Sequence, residues 1–252
     1  MTEKKKGTLI VLRHGQTGYN AAKKMTGQKN VPLTEKGEEQ ARGAGKLLAA
    51  THVDKVYASP LDRAFKTAEL ILDHMDDAAT AHLKNEDGTW NVHQDYDIME
   101  QDTGDFTGRH YKTDPDIIAF DRQYAQAFPG GESAADVQKR LEEFYDRELK
   151  PLLEDGKTVM VVCHSNVVRA FKLLAGEATP ETYHEQRAKV KNASPWVLEF
   201  DSCATKVSAS YMVEDRIAAQ PPTNDNASDK NDVDGVSGAK QKKDRPANRR
   251  NG

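Results

Sequence analysis

The chain has 252 residues, 37% of them apolar, with a formal net charge of −4. That length allows one large domain or two small ones, and the acidic balance argues against a dedicated nucleic-acid binder, whose field must attract a phosphate backbone. Nowhere do about eighteen apolar residues run together as a membrane span requires, and the two cysteines imply no disulfide framework.

The first element is a short β-branched run, residues 8–12, which reads as a buried strand and delivers Arg13-His14-Gly15 to the loop beyond it. An arginine offers a planar fork of donors suited to phosphoryl oxygens, and a neutral imidazole beside it is a nucleophile for phosphorus. Thr34 is placed to cap a helix that runs through Glu38, Ala41, Leu47 and Leu48. A second strand spans residues 53–58. It is followed by Ser59-Pro60, which predicts a helix over residues 60–73 with Ser59 as its cap and Arg63 in its first turn.

Residues 76–128 are polar and interrupted, and read as a partly helical excursion that contributes specificity rather than framework. An amphipathic stripe through Val137, Leu141, Phe144, Leu149 and Leu152 predicts a helix over residues 134–153. Residues 158–163 form a third buried strand, ending in His164-Ser165-Asn166, and a helix follows over residues 167–174. Trp196, Leu198 and Phe200 alternate in a further strand, which either finishes the sheet or pairs with a second copy in a homodimer.

Strands alternating with helices predict an α/β fold, a three-layer α/β/α domain with a mostly parallel central sheet, over residues 1–213. Residues 214–252 read as a disordered tail: from Gln220 onward two valines are the only sizeable apolar groups, too few to offset the entropy of ordering. Six of its last thirteen residues are Lys or Arg, against one Asp. That basic end solubilises the chain or adheres to acidic surfaces. Because ligands of parallel sheets bind beyond the carboxyl ends of the strands, Arg13-His14, Ser59 to Arg63 and His164-Ser165-Asn166 are expected to converge. The MTEKKKG start leads into no apolar stretch of signal-peptide length, so the expected location is the cytoplasm. The other six histidines lack paired ligand spacing, so no metal site is expected.

Six runs occur in order: LRHGQTGYN, PLTEKGEEQA, YASPLDRAFKTA, MEQDTGDFTG, FPGGESAADVQKRL and VVCHSNVVRAF. Together they resemble the histidine phosphatase superfamily, which includes phosphoglycerate mutases, over residues 8–200. The resemblance implies that His14 becomes phosphorylated, that Arg13, Arg63 and His164 surround the phosphoryl group, and that Glu100 is the proton donor, with Asp102 its rival. It suggests Gln16, Asn20, Thr26 and Gly27 as phosphate or product contacts, although ordinary loop hydrogen bonding explains these equally well, and the amides of Ser165 and Asn166 as an anion site beside His164. The activity implied is phosphoryl transfer through phosphohistidine, with hydrolysis of a small phosphomonoester as the first expectation and no cofactor needed. The alternative is a phosphoglycerate mutase primed by 2,3-bisphosphoglycerate, for which Lys112 and Arg122 would bind the substrate carboxylate. A third class, a non-catalytic binder of phosphorylated ligands, is disfavoured by the intact set of Arg13, His14, Arg63 and His164. The short link from Glu100 to Gly130 favours the phosphatase, and Asn166 after His164-Ser165 favours the mutase.

Overall fold

A computed structural model describes residues 6–201, 203–204 and 207–218. Six strands make one sheet in the order β3-β2-β4-β1-β5-β6: β1 (Thr8–Arg13), β2 (Lys55–Ala58), β3 (Val92–Gln94), β4 (Thr158–Cys163), β5 (Trp196–Phe200) and β6 (Val207–Met212). The first four are parallel, β5 runs antiparallel to β1, and β6 runs antiparallel to β5. The helices in chain order are α1 (Gly18–Ala21), α2 (Glu35–Leu47), α3 (Asp62–Leu72), α4 (Asp77–Thr80), α5 (Pro115–Asp121), α6 (Ala134–Phe144), α7 (Lys150–Glu154), α8 (Ser165–Leu174) and α9 (Val213–Ala218).

Period-two alternation in β1 and β4 explains the three layers. Leu9, Val11, Val159 and Val161 pack on one face against Val137, Leu141, Phe144 and Phe171 of α6 and α8. Ile10, Leu12, Met160 and Val162 pack on the other against Ala44 and Leu48, and against Ala64, Ala68 and Ile71 of α3. Cys163 is fully buried among the first set, as a small hydrophobe.

Several expectations are corrected. The helix after β2 begins at Asp62 with Leu61 as its cap residue, not at Ser59-Pro60. The Ser59 amide continues the β2–β4 ladder to the Val162 carbonyl, which keeps that residue extended and delays the first helical turn. The helix of residues 134–153 is continuous but passes through a π-helical stretch, Tyr145–Leu149, just before Pro151, whose missing N–H breaks the regular ladder. Part of the polar excursion is framework after all, because β3 pairs with β2 through Val92, His93 and Gln94. The segment at Trp196 is not an edge, since β6 pairs along it within the same chain. The fold also runs past Val213 into α9, while residues 219–252, including the basic end, lie outside the described residues. Among those described, no helix is long and apolar enough to cross a membrane.

Candidate active site

The carboxyl ends of β1 and β4 lie side by side, with Arg13 in register with Cys163, and so present His14 and His164 next to each other. Their ring centroids are 5.1 Å apart, and the two residues are 2% and 0% exposed. His14 is held at every polar atom. Its amide donates to the Cys163 carbonyl, its carbonyl accepts from Asn192 Nδ2, and its Nδ1 donates to the Gly15 carbonyl at 2.6 Å. That last bond fixes the tautomer and leaves Nε2 unprotonated, as an acceptor. Arg63 Nε donates to this Nε2 at 3.3 Å. Gly15 is required for the turn, because a Cβ there would lie 2.2 Å from the Gly37 carbonyl oxygen.

Arg63, the second residue of α3, is fully buried. Its terminal nitrogens donate to the Gly27 carbonyl at 2.8 Å and the Lys29 carbonyl at 2.9 Å, so the Gly27 turn, at φ +51°, orients the guanidinium toward His14. Burial lowers the Arg63 pKa to about 10, which leaves it cationic at neutral pH. Burial, then the charges of Arg63 and Arg13, hold His14 well below the ordinary histidine range. Burial and the Arg63 charge do the same to His164.

Three buried donor or acceptor atoms around His14 have no hydrogen-bond partner: Arg13 Nε and both ring nitrogens of His164. Leaving such groups unpaired is costly, and a cluster of them beside the His14 imidazole and the Arg63 guanidinium marks the place of an anionic ligand. Arg13, His14, Asn20, Thr26, Gly27, Glu100, Ser165 and Asn166 line one open pocket. Glu100 is 7% exposed, and its Oε1 accepts from the amides of Gln101 at 2.9 Å and Asn166 at 3.2 Å. The Asn166 amide is therefore engaged by Glu100, where the sequence had suggested that it faces an anion. Asn166 Oδ1 accepts from the buried Arg169 at 2.6 Å, which turns the side-chain NH2 away from that contact.

Two expected residues are elsewhere. Gln16 accepts from Thr34 through its side chain and its carbonyl, supporting the cap of α2, and does not line the pocket. Asp102 turns back to cap Gly104, so of the two rival acids only Glu100 reaches the site. Lys112 and Arg122 are exposed away from it. Among the described residues, the cations that line it besides Arg13 are Lys24 and Arg187, together with Met25, Thr103 and Tyr111. Lys24 and Met25 adjoin recognised motifs and Thr103 lies within one, so all three were legible by proximity. Nothing in the sequence distinguishes Arg187 from its basic neighbours.

Residues 9–211 match the histidine phosphatase superfamily (branch 1). The chain belongs to this superfamily. It is 31% identical over 204 residues to a 2,3-bisphosphoglycerate-dependent phosphoglycerate mutase of Cytophaga hutchinsonii, covering 81% of this chain and 92% of that one. A protein of the same name from Bartonella bacilliformis is 32% identical, with 81% and 98% covered. Among solved structures, a mycobacterial glucosyl-3-phosphoglycerate phosphatase with bound VO3 superposes with a TM-score of 0.59 at 27% identity, covering 76% of this chain and 92% of that one. A phosphoserine phosphatase of Entamoeba histolytica shares the fold, with a TM-score of 0.64 at 23% identity over 81% and 96% of the two chains. Among the described residues of this histidine phosphatase superfamily member, no group of His, Cys, Asp and Glu is arranged to hold a metal ion.

Proposed function

We propose that His14 carries the phosphoryl group as phosphohistidine and that water is its acceptor, so that the protein hydrolyses a small phosphomonoester. The observation that carries this reading is His14 Nε2, which accepts from Arg63 Nε and lies beside the unpartnered Arg13 Nε and His164 ring nitrogens. Nε2 attacks phosphorus and the ester oxygen departs, taking a proton from Glu100. Arg13 and Arg63 neutralise the charge spread over the equatorial oxygens. An arriving dianion also favours a proton on His164, converting that ring into a further donor. Glu100, now a carboxylate, takes a proton from water as its oxygen bonds to phosphorus, and the phosphorus–Nε2 bond breaks to release phosphate and neutral His14. Two amides hold Glu100 Oε1, which leaves Oε2 to move both protons.

Water as acceptor is supported by the short connection between Glu100 and the Gly130 turn. It forms only α5 and adjoining turns, whose Phe106, Ile117 and Phe128 make a small apolar cluster with Met25. The likeness to the mycobacterial phosphatase points the same way. A second reading, phosphoglycerate mutase primed by 2,3-bisphosphoglycerate, is favoured by the names of the sequence relatives. Phosphorus NMR on the purified chain separates them, with 3-phosphoglycerate as substrate, a trace of 2,3-bisphosphoglycerate, and other monoesters in parallel. Release of inorganic phosphate without 2-phosphoglycerate is the expected result. Rapid formation of 2-phosphoglycerate with little free phosphate would replace hydrolysis by isomerisation.

A further inference from the structure

Arg187 lies in the 3-10 segment Tyr183–Lys189 that follows α8, yet its side chain lines the same pocket as Arg13, His14 and Glu100. It is held there from two sides. Asp121, at the end of α5, accepts from one of its terminal nitrogens at 2.7 Å, and its guanidinium lies 5.2 Å from the centre of the Tyr111 ring. Tyr111 is itself tied to the segment that carries Lys24 and Met25, its amide donating to the Lys23 carbonyl. A guanidinium has five N–H donors, and the bond to Asp121 occupies one.

Arg187 is surplus to the reaction at phosphorus, for which Arg13, Arg63 and His164 already supply the donors. Its charge bears unfavourably on Arg13 across the pocket. Asp121 beside Arg187 and Glu100 near Arg13 offset part of that repulsion, and an anion held between the two guanidiniums offsets the rest. Lys24 adds a third cation at the exposed rim. A planar fork anchored at one edge suits a carboxylate, which accepts two parallel N–H bonds.

We propose that Arg187, positioned by Asp121 and Tyr111, is the specificity-determining residue of this pocket, and that it selects phosphomonoesters whose alcohol portion carries a second anionic group, a carboxylate. The proposal rests on the phosphomonoester reading of the site and narrows its substrate class. Residues 183–189 thereby set specificity jointly with the excursion that carries Tyr111 and Asp121.

The test compares 3-phosphoglycerate with glycerol 3-phosphate, which replaces the carboxylate by a hydroxymethyl group and leaves the phosphate alone. Affinities are measured by calorimetry on the full chain carrying His14→Ala, so that neither ligand turns over. The carboxylate ligand is expected to bind about tenfold tighter or more, as a charge-assisted hydrogen-bond pair provides. Adding Arg187→Gln brings that ratio to about one, and Arg187→Lys recovers only part of it because the fork is lost. Asp121→Asn reduces the ratio without removing the cation. The proposal is overturned if the ratio is near one before Arg187 is changed, if 3-phosphoglycerate does not bind, or if Arg187→Gln weakens both ligands equally. Failure of the chemical reading shows elsewhere, as absence of phosphohistidine on His14 in the unaltered chain, and leaves the binding ratio unaffected.

Discussion

Two histidines buried together as neutral rings make the stability of this fold depend on pH. His14 and His164 both lie well below the ordinary histidine range, chiefly through burial and then through the Arg63 charge. In the unfolded chain each returns to a pKa of about 6.5. Below that pH the unfolded state binds protons that the native state refuses, so stability is full above about 6.5 and is lost as pH falls toward the folded values. Integrating the linkage relation from about pH 6.5 to 5.5 gives about 1 kcal/mol for each ring, hence about 2 kcal/mol for the pair. His93, lowered by partial burial and by Lys55, acts in the same direction, so the pair must be isolated by subtraction. Urea unfolding of the unaltered chain and of His14→Asn/His164→Asn, at both pH values, provides it. The unaltered chain should lose about 2 kcal/mol more than the double variant between the two conditions. Equal losses would refute the argument that these rings are buried neutral.

Three further substitutions probe separate parts of the site. Arg63→Gln removes the cation that touches His14 Nε2, and kcat should fall about 10²- to 10³-fold in steady-state assays, as for loss of one transition-state donor. Glu100→Gln keeps an acceptor for the two amides but cannot supply a proton, so kcat should fall about 10²- to 10⁴-fold with alkyl phosphates and much less with p-nitrophenyl phosphate, whose leaving group needs no acid. Gly15→Ala drives a Cβ to 2.2 Å from the Gly37 carbonyl oxygen, backbone against backbone, and thermal unfolding should show a loss of about 1–3 kcal/mol or more.

The parts of the fold legible in the sequence are those where a period and a stop coincide. β1 and β4 alternate apolar residues between the two core faces and end in polar tripeptides, which located both catalytic-edge histidines. Thr34 capped α2 as its residue type predicts, accepting from the Gly37 amide. β3 was not legible because it is three residues long, polar on its exposed positions, and a strand only through its partner. β6 was hidden by the same half-exposed composition. The start of α3 was misread because Ser59 and Pro60 are good capping residues locally, whereas a ladder bond to Val162 decides the matter from another strand. Gln16 resembled a ligand contact and serves a helix cap, since its partner Thr34 is fixed by tertiary folding. Arg187 escaped notice for the same reason: it reaches the pocket only after Asp121 and Tyr111 have been placed by the excursion.

The central claim is that His14 forms a covalent bond to phosphorus. Rapid quench at alkaline pH after mixing with a phosphomonoester, followed by intact-protein and peptide mass spectrometry, tests it without knowledge of the physiological substrate. The account predicts a single added phosphoryl group that maps to His14, is lost on acid treatment, and is absent from His14→Ala. Turnover of phosphomonoesters by His14→Ala at the unaltered rate, or a phosphoryl group on another residue, would contradict it.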